Sequence, residues 1–128
     1  MPSLATALLA QHGATKRAAA SVVSALHEAG MPTAQVEEEE EARCRGLEAA
    51  LGGGTRAECV RYASIAATTL HAASARQAHV EALNDEALAN VAAALDAHVA
   101  ALRKQADLAE DHAHAADQKE VALSLIHI

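Results

Sequence analysis

The sequence predicts an all-α protein, an up-and-down bundle of three to four helices, and three observations support this fold class. The chain of 128 residues is 52% hydrophobic, but 36 of its residues are alanine, the best helix former and a poor strand former. Apolar residues recur at intervals of three, four and seven, as on one face of a helix. Glycine, proline and polar pairs interrupt this pattern at three places. At this length we expect one helical domain, over residues 1–122.

Four alanine-rich helices are predicted, at about residues 3–29, 34–51, 56–83 and 85–122. The first ends at Gly30, since glycine suits the left-handed position after a helix and Pro32 disfavours helix in the residue before it. Thr33 is placed to cap the second helix, which the glycines 52–54 end. Residues 55–58 (Thr-Arg-Ala-Glu) form a capping box that opens the third. The polar pair at 84–85 (Asn-Asp) ends the third helix and caps the fourth.

The fourth helix is long enough to extend past its neighbours. At 1.5 Å per residue it spans roughly 57 Å, against roughly 42 Å for the third helix. Its segment 107–120 contains one large apolar residue, Leu108, so we expect this end to overhang without packing partners. Leu88, Leu95 and Leu102 recur every seven residues along this helix, as in a coiled-coil interface. The companion apolar positions of such a repeat, however, include His98, Gln105 and His112. Polar residues there favour a short bundle over a long dimeric coiled coil.

Large apolar residues are scarce, which predicts self-association. Leucine, valine and isoleucine total 25 residues, phenylalanine and tryptophan are absent, and Tyr62 is the sole aromatic residue. We therefore expect the alanine-rich faces to be completed by a second copy or by a helical protein partner.

Charge and composition exclude several classes of function. The formal charge is −7, and there is neither a basic face for phosphates nor an aromatic platform for bases, so no nucleic-acid binding is expected. The sequence contains no run of about 18 apolar residues, the length that a membrane-spanning helix needs. The apolar N-terminus lacks the preceding basic residues of a signal peptide, which favours a cytoplasmic protein with Cys44 and Cys59 reduced.

Cys44 has two interpretations. It lies between Arg43 and Arg45, and neighbouring cations make a thiol more reactive. The alternative, which we favour, is a small half-buried residue that faces another helix.

The last six residues, 123–128, differ from the rest of the chain, because alanine disappears and two of the three isoleucines lie there. This segment resembles the translation of a transposase mosaic end used as a sequencing adapter, in all six positions. The resemblance implies that the segment is a non-native tail and that the natural protein continues beyond Ala122. A frayed native tail is the alternative.

Metal binding is the chemistry that the eight histidines suggest. Glu110, Asp111 and His114 have the i, i+3 and i, i+4 spacing that brings ligands to one helix face. A di-iron carboxylate bundle needs two carboxylate-x-x-His motifs, and this sequence has one, so a solvated polar helix end is the competing interpretation.

Other motifs do not predict a catalytic site. The acidic run 37–41 indicates a solvated face or a docking surface for a basic partner or cation. The glycines 52–54 lack the Gly-Lys-Ser/Thr ending of a phosphate loop, and no serine lies in a nucleophile elbow.

We therefore expect a non-enzymatic helical interaction or oligomerisation module without a cofactor, or a fragment of a longer helical protein with that role. The alternative is a ferritin-like bundle that binds metal through histidine and carboxylate. A small-molecule regulatory domain is disfavoured, because a single aromatic residue leaves a pocket poorly lined.

Overall fold

The chain folds into an up-and-down four-helix bundle, which confirms the predicted fold class. The computed structural model describes residues 3–126, and side-chain environments through residue 125. Within these residues there is no strand, and the helices are α1 (Leu4–Glu28), α2 (Ala34–Gly52), α3 (Arg56–Leu83) and α4 (Ala89–Ile126), with one 3₁₀ turn at Glu86–Leu88. Helix α4 packs along α1 and α3, and α2 packs along α3, whereas α1 and α2 have the smallest contact among the neighbouring helices.

Local signals end the helices largely where the sequence predicts. Gly30 has φ +71° after α1, and the Met31 amide donates to the Leu26 carbonyl at 2.8 Å, which completes a Schellman motif. The Thr55 hydroxyl accepts from the Glu58 amide at the start of α3. Asn84 ends α3 in the left-handed conformation.

One predicted cap hydrogen bond and one predicted helix start are wrong. The Thr33 side chain makes no cap hydrogen bond, because its hydroxyl donates to the Glu37 carboxylate at 3.0 Å instead. Helix α4 begins at Ala89 rather than at Asp85, because the Asp85 carboxylate accepts from the Ala87 amide and first forms the 3₁₀ turn.

The core consists of three clusters that follow one another along α4. Val91 and Leu95 lie in the first, Leu102 in the second, and Ala109 in the third. Each fully buried leucine or valine contributes about 1.5–3 kcal/mol to the free energy of unfolding. Alanine supplies much of the remaining buried surface.

The expected overhang of α4 begins later than the sequence predicts, so the predicted limits of 107–120 are wrong. Ala109 and Ala113 are buried against Leu8, Leu47 and Tyr62. The contact is made by small side chains, so the scarcity of large apolar residues in this segment did not predict it. Only from residue 118 onward is every described side chain exposed.

The helix continues into the segment that resembles an adapter translation. Leu123 and Leu125 are helical and exposed, while residues 127 and 128 lie outside the described range. The non-native origin of residues 123–128 stays a prediction.

None of the helices within residues 3–126 is both long and apolar enough to cross a membrane.

Candidate functional site

A buried arginine lies at the centre of the bundle. Arg43 of α2 is 0% exposed. Its Nε donates to Glu40 at 3.1 Å, and its Nη2 forms an ion pair with the other carboxylate oxygen. Its Nη1 donates to the Tyr62 hydroxyl at 3.3 Å and lies 3.1 Å from Nδ1 of His12. One guanidinium thus joins α1, α2 and α3.

The same network reaches α4 through Gln105, which is also 0% exposed. The Gln105 amide donates to the Tyr62 hydroxyl at 2.8 Å and accepts from the Thr15 hydroxyl at 3.2 Å. Gln11 donates to the Ala101 carbonyl at 3.1 Å. The hydrogen-bonded network therefore connects all four helices.

Electrostatics keep Arg43 charged and Tyr62 neutral. Burial disfavours the charge of Arg43, but the hydrogen bonds and negative charge of Glu40 outweigh it and raise the pKa of the guanidinium. Burial raises the pKa of the Tyr62 hydroxyl, although Arg43 opposes this. Burial and the positive charge of Arg43 lower the pKa of His12. Because these groups bind one another, they form a structural network with no free nucleophile.

A second polar layer lies beside this network. Arg76 of α3 forms an ion pair with Glu39 of α2 at 2.8 Å. His98 of α4 is 1% exposed, and neither ring nitrogen has a hydrogen-bond partner within the described part of the chain. Burial, together with the positive charges of Arg76 and Arg43, lowers its pKa to about 4, against the opposing effect of Glu40. His98 is therefore a neutral, buried imidazole at neutral pH.

The sequence pattern alone does not predict this network, because Arg43 stands out there only as a charged neighbour of Cys44. The buried residues of α2 are Val36, Arg43, Leu47 and Ala50. Arg43 lies seven residues after Val36, and this heptad spacing is the signal that indicates burial. Tyr62, the sole aromatic residue, is 1% exposed and lies inside the core.

The reactive interpretation of Cys44 is wrong. Cys44 is half-buried, and its thiol donates weakly to Glu40 at 3.9 Å. Burial and the negative charge of Glu40 raise its pKa, which outweighs the lowering by Arg43. The thiol is thus protonated and poorly nucleophilic at neutral pH.

The acidic run is divided between the surface and the interior. Glu37, Glu38 and Glu41 are exposed, as expected for a solvated face. Glu39 and Glu40 are half-buried and pair with Arg76 and Arg43. The prediction of a solvated face therefore holds for three of the five glutamates.

An open apolar groove runs between α1 and α2. Ala19 and Val36, 3% and 2% exposed, lie at its base. Helices α1 and α2 pack less extensively than the other neighbouring helices, and this surface is left open between them. Its residues come from two helices: Lys16, Ala19, Ala20, Val23, Ser24 and His27 from α1, and Val36, Glu37 and Glu40 from α2.

A second groove lies at the end of the bundle where α1 begins and α4 projects. Leu4, Leu51 and Ala116 line it, and Leu123 forms part of one wall. This wall includes a residue of the predicted non-native tail, so we do not assign a function to it.

The predicted metal ligands lie on the surface. Glu110, Asp111 and His114 are exposed on α4, near an ion pair between Arg56 and Asp117. Within residues 3–126, no three His, Cys, Asp or Glu side chains form a cluster that could hold a metal ion. Metal binding at this position stays a prediction.

The fold and its interior define a class of protein, the four-helix bundle with a buried polar network. Comparisons of the chain with protein-family models, with curated proteins and with solved structures found no match.

Proposed function

We propose that the protein is a non-enzymatic helical interaction module whose α1–α2 groove binds one further amphipathic α-helix. The observation that supports this proposal is the groove itself, an apolar surface left open along the least-packed seam of the bundle. An exposed apolar groove bordered by polar side chains is typical of a protein interaction site.

The dimensions and chemistry of the groove suit a helix. It lies between two antiparallel helices, and a third helix packs into such a groove through ridges formed by every third or fourth side chain. Ala20 and Ser24 are exposed on one wall, and their short side chains permit an approach to within about 8–10 Å between helix axes. Recognition of this kind uses anchors at i, i+3, i+4 and i+7 of the bound helix.

The interior gives a second reason to favour binding over catalysis. The side chains of Arg43, Glu40 and Tyr62 bind one another, and the pKa of the Tyr62 hydroxyl is raised. A general base needs a pKa near the working pH and access to a substrate. The buried Tyr62 hydroxyl has neither property, so the open groove is the better candidate site.

NMR titration tests this proposal with a probe of defined composition. The probe is an alanine-based helical peptide with leucines at i, i+3, i+4 and i+7 and with lysines elsewhere; its control is a helical isomer with the leucines distributed around the helix. We expect the striped peptide to shift the amide resonances of Ala20, Val23 and Val36, and the isomer to shift them far less.

Two variants localise the interaction. Ala20→Arg places a long charged side chain in the groove and is expected to abolish the shifts, while Ala75→Arg, at an exposed position of α3, is expected to leave them unchanged. Both changes replace an exposed alanine, so neither is expected to disturb the core. Addition of unlabelled protein to the labelled protein tests in the same way whether the groove binds another copy. The proposal would be wrong if neither this addition nor the striped peptide shifted the groove resonances.

A further inference from the structure

We infer that the partner of this groove is a second copy of the chain, in a two-fold dimer in which α1 of each copy lies over α2 of the other, so that the two grooves face each other. This inference rests on the proposed function and names the partner of the same groove. It follows from the distribution of charge on the two walls.

The two walls of the groove carry opposite charge. On α1, Lys16 and Arg17 are exposed, and no acidic residue precedes Glu28. Helix α2 carries six glutamates and two arginines, and Glu37 and Glu41 are exposed on it. Of these charged residues, Lys16 lines the groove from α1 and Glu37 lines it from α2, so a basic and an acidic side chain border it on opposite sides within each copy.

Lys16 and Glu37 lie within about one turn of each other along the bundle. His12 of α1 is 3.1 Å from Arg43 of α2, and α1 and α2 are antiparallel. Lys16, one turn further along α1, is therefore level with the part of α2 that lies one turn before Arg43. Both Lys16 and Glu37 line the groove.

A two-fold dimer of such faces has two simple arrangements. An axis across the groove places α2 over the partner's α2, so that the glutamate run faces itself. An axis along the groove places α1 over the partner's α2 at the same height, so that Lys16 lies close to the partner's glutamates. Like charges that face each other are unfavourable and opposite charges fix the arrangement, so the second arrangement is favoured.

Charge reversal tests this arrangement by sedimentation equilibrium. Lys16→Glu and Glu37→Lys each place like charges opposite one another twice per dimer, and we expect each to raise the dimer Kd about tenfold. Exposed pairs contribute about 0.2–1 kcal/mol each, and about 1.4 kcal/mol corresponds to tenfold. The double variant with both reversals restores opposite pairs, so its Kd is expected to return to the wild-type value. Circular dichroism of each variant establishes that the fold is intact.

Two control measurements separate failure of this inference from failure of the proposed function. Lys104→Glu changes the net charge equally at an exposed site on α4 and is expected to leave Kd nearly unchanged. A dimer sensitive to Ala20→Arg but insensitive to both charge reversals would overturn the α1-over-α2 arrangement and leave the groove as an interaction site. A chain that stays monomeric to about 1 mM but binds the striped peptide would overturn the second copy as partner. A chain that does neither contradicts both.

Discussion

At the scale of single residues, the buried imidazole of His98 makes the stability of the bundle depend on pH. The pKa of this ring falls from 6.5 to about 4 on folding, because burial disfavours its charged form. Arg43 and Arg76 add to this effect, and Glu40 opposes it. The unfolded chain therefore binds more protons than the folded chain between these two pH values, which favours unfolding as the pH falls.

We expect the contribution of His98 to be at its full value above about pH 6.5 and to decline by about 3 kcal/mol as the pH falls to 4. Urea unfolding at a series of pH values measures this slope. His98→Leu is expected to remove most of it and to leave a smaller part that is due to His12, whose pKa is also lowered. His71→Leu, at an exposed position of α3, serves as the control, and equal slopes in the two variants would show that His98 is not the source.

Two arginines of α2 with similar local pairs are expected to differ greatly in their effect on stability. Arg43 pairs with Glu40 inside the bundle, and Arg45 pairs with Glu41 on its surface, where both side chains are more than half exposed. Removal of one member of a buried ion pair costs about 3–5 kcal/mol, whereas an exposed pair contributes about 0.2–1 kcal/mol.

Arg43→Ala is therefore expected to unfold much of the protein, and Arg45→Ala to change the free energy of unfolding by less than about 0.5 kcal/mol. Arg43→Lys keeps the charge, but a single ammonium cannot replace a guanidinium that contacts Glu40, Tyr62 and His12. Thermal and urea unfolding of the three variants check this order. Similar small losses for Arg43→Ala and Arg45→Ala would show that the network contributes little to stability.

At the scale of elements, a glycine in α2 permits the close approach of α3. A Cβ atom on Gly46 would lie 2.9 Å from Cδ1 of Ile65 and 3.2 Å from the Tyr62 ring. The end of Ile65 can move, but the Tyr62 hydroxyl is bonded to Arg43 and Gln105. Gly46 is therefore a site of helix contact.

Two glycine-to-alanine substitutions in α2 are expected to have opposite signs. Helix propensity favours alanine by about 1 kcal/mol, but overpacking costs about 1–3 kcal/mol, so Gly46→Ala is expected to lower the free energy of unfolding by about 1 kcal/mol. Gly52 has open space around it, so Gly52→Ala is expected to raise that free energy. Chemical denaturation measures both, and a gain at both positions would place α3 further from α2 than described.

The far end of α4 should differ in stability from the part that packs. Its side chains are exposed from residue 118, and isolated helices shorter than about 12–15 residues are marginal in water. We expect amide hydrogen exchange to be slow around Ala109 and Ala113 and fast beyond residue 118. Fast exchange from residue 107 onward would instead support the longer overhang, residues 107–120, that the sequence predicts.

Zinc tests the alternative function on the same helix. The side chains of Glu110, Asp111 and His114 are exposed, and a helical interaction module does not need a metal ion. We therefore expect micromolar zinc to leave exchange around these residues unchanged in protein purified without a histidine tag. Slower exchange there that His114→Ala abolishes would support the metal-binding bundle.

The limits of the helices were predictable, whereas the polar interior was not, and the reason is physical. Gly30, Thr55 and Asn84 act through bonds and backbone angles within a few residues, so a local pattern identifies them. Gln105 binds Tyr62 and Thr15, which are 43 and 90 residues away, and this depends on how the helices meet. The groove has the same origin, because Ala19 and Val36 line it together only after α1 and α2 pack.

At the scale of the whole molecule, the proposed dimer changes how the excess of negative charge is distributed. The chain carries a formal charge of −7, so two copies repel each other at long range, and salt screens this repulsion. The α1-over-α2 arrangement places the exposed cations of α1 against the most acidic surface. Association is therefore compatible with the net charge only in an arrangement that separates the two acidic runs.

The hydrogen-bonded network that joins the four helices also determines how the helices are aligned along their axes. An alanine-rich helix face looks nearly the same after a displacement of one turn, about 5.4 Å, so small apolar side chains alone leave several alignments of similar free energy. A displacement of one turn would separate Gln105 from Tyr62, and Arg43 from Tyr62 and His12, so that the buried guanidinium would keep only Glu40 of its own helix as a partner. Four polar side chains, Thr15, Arg43, Tyr62 and Gln105, thus distinguish one alignment among those that the alanines permit, and we expect the alanine positions to accept other small residues more readily than these four accept any change.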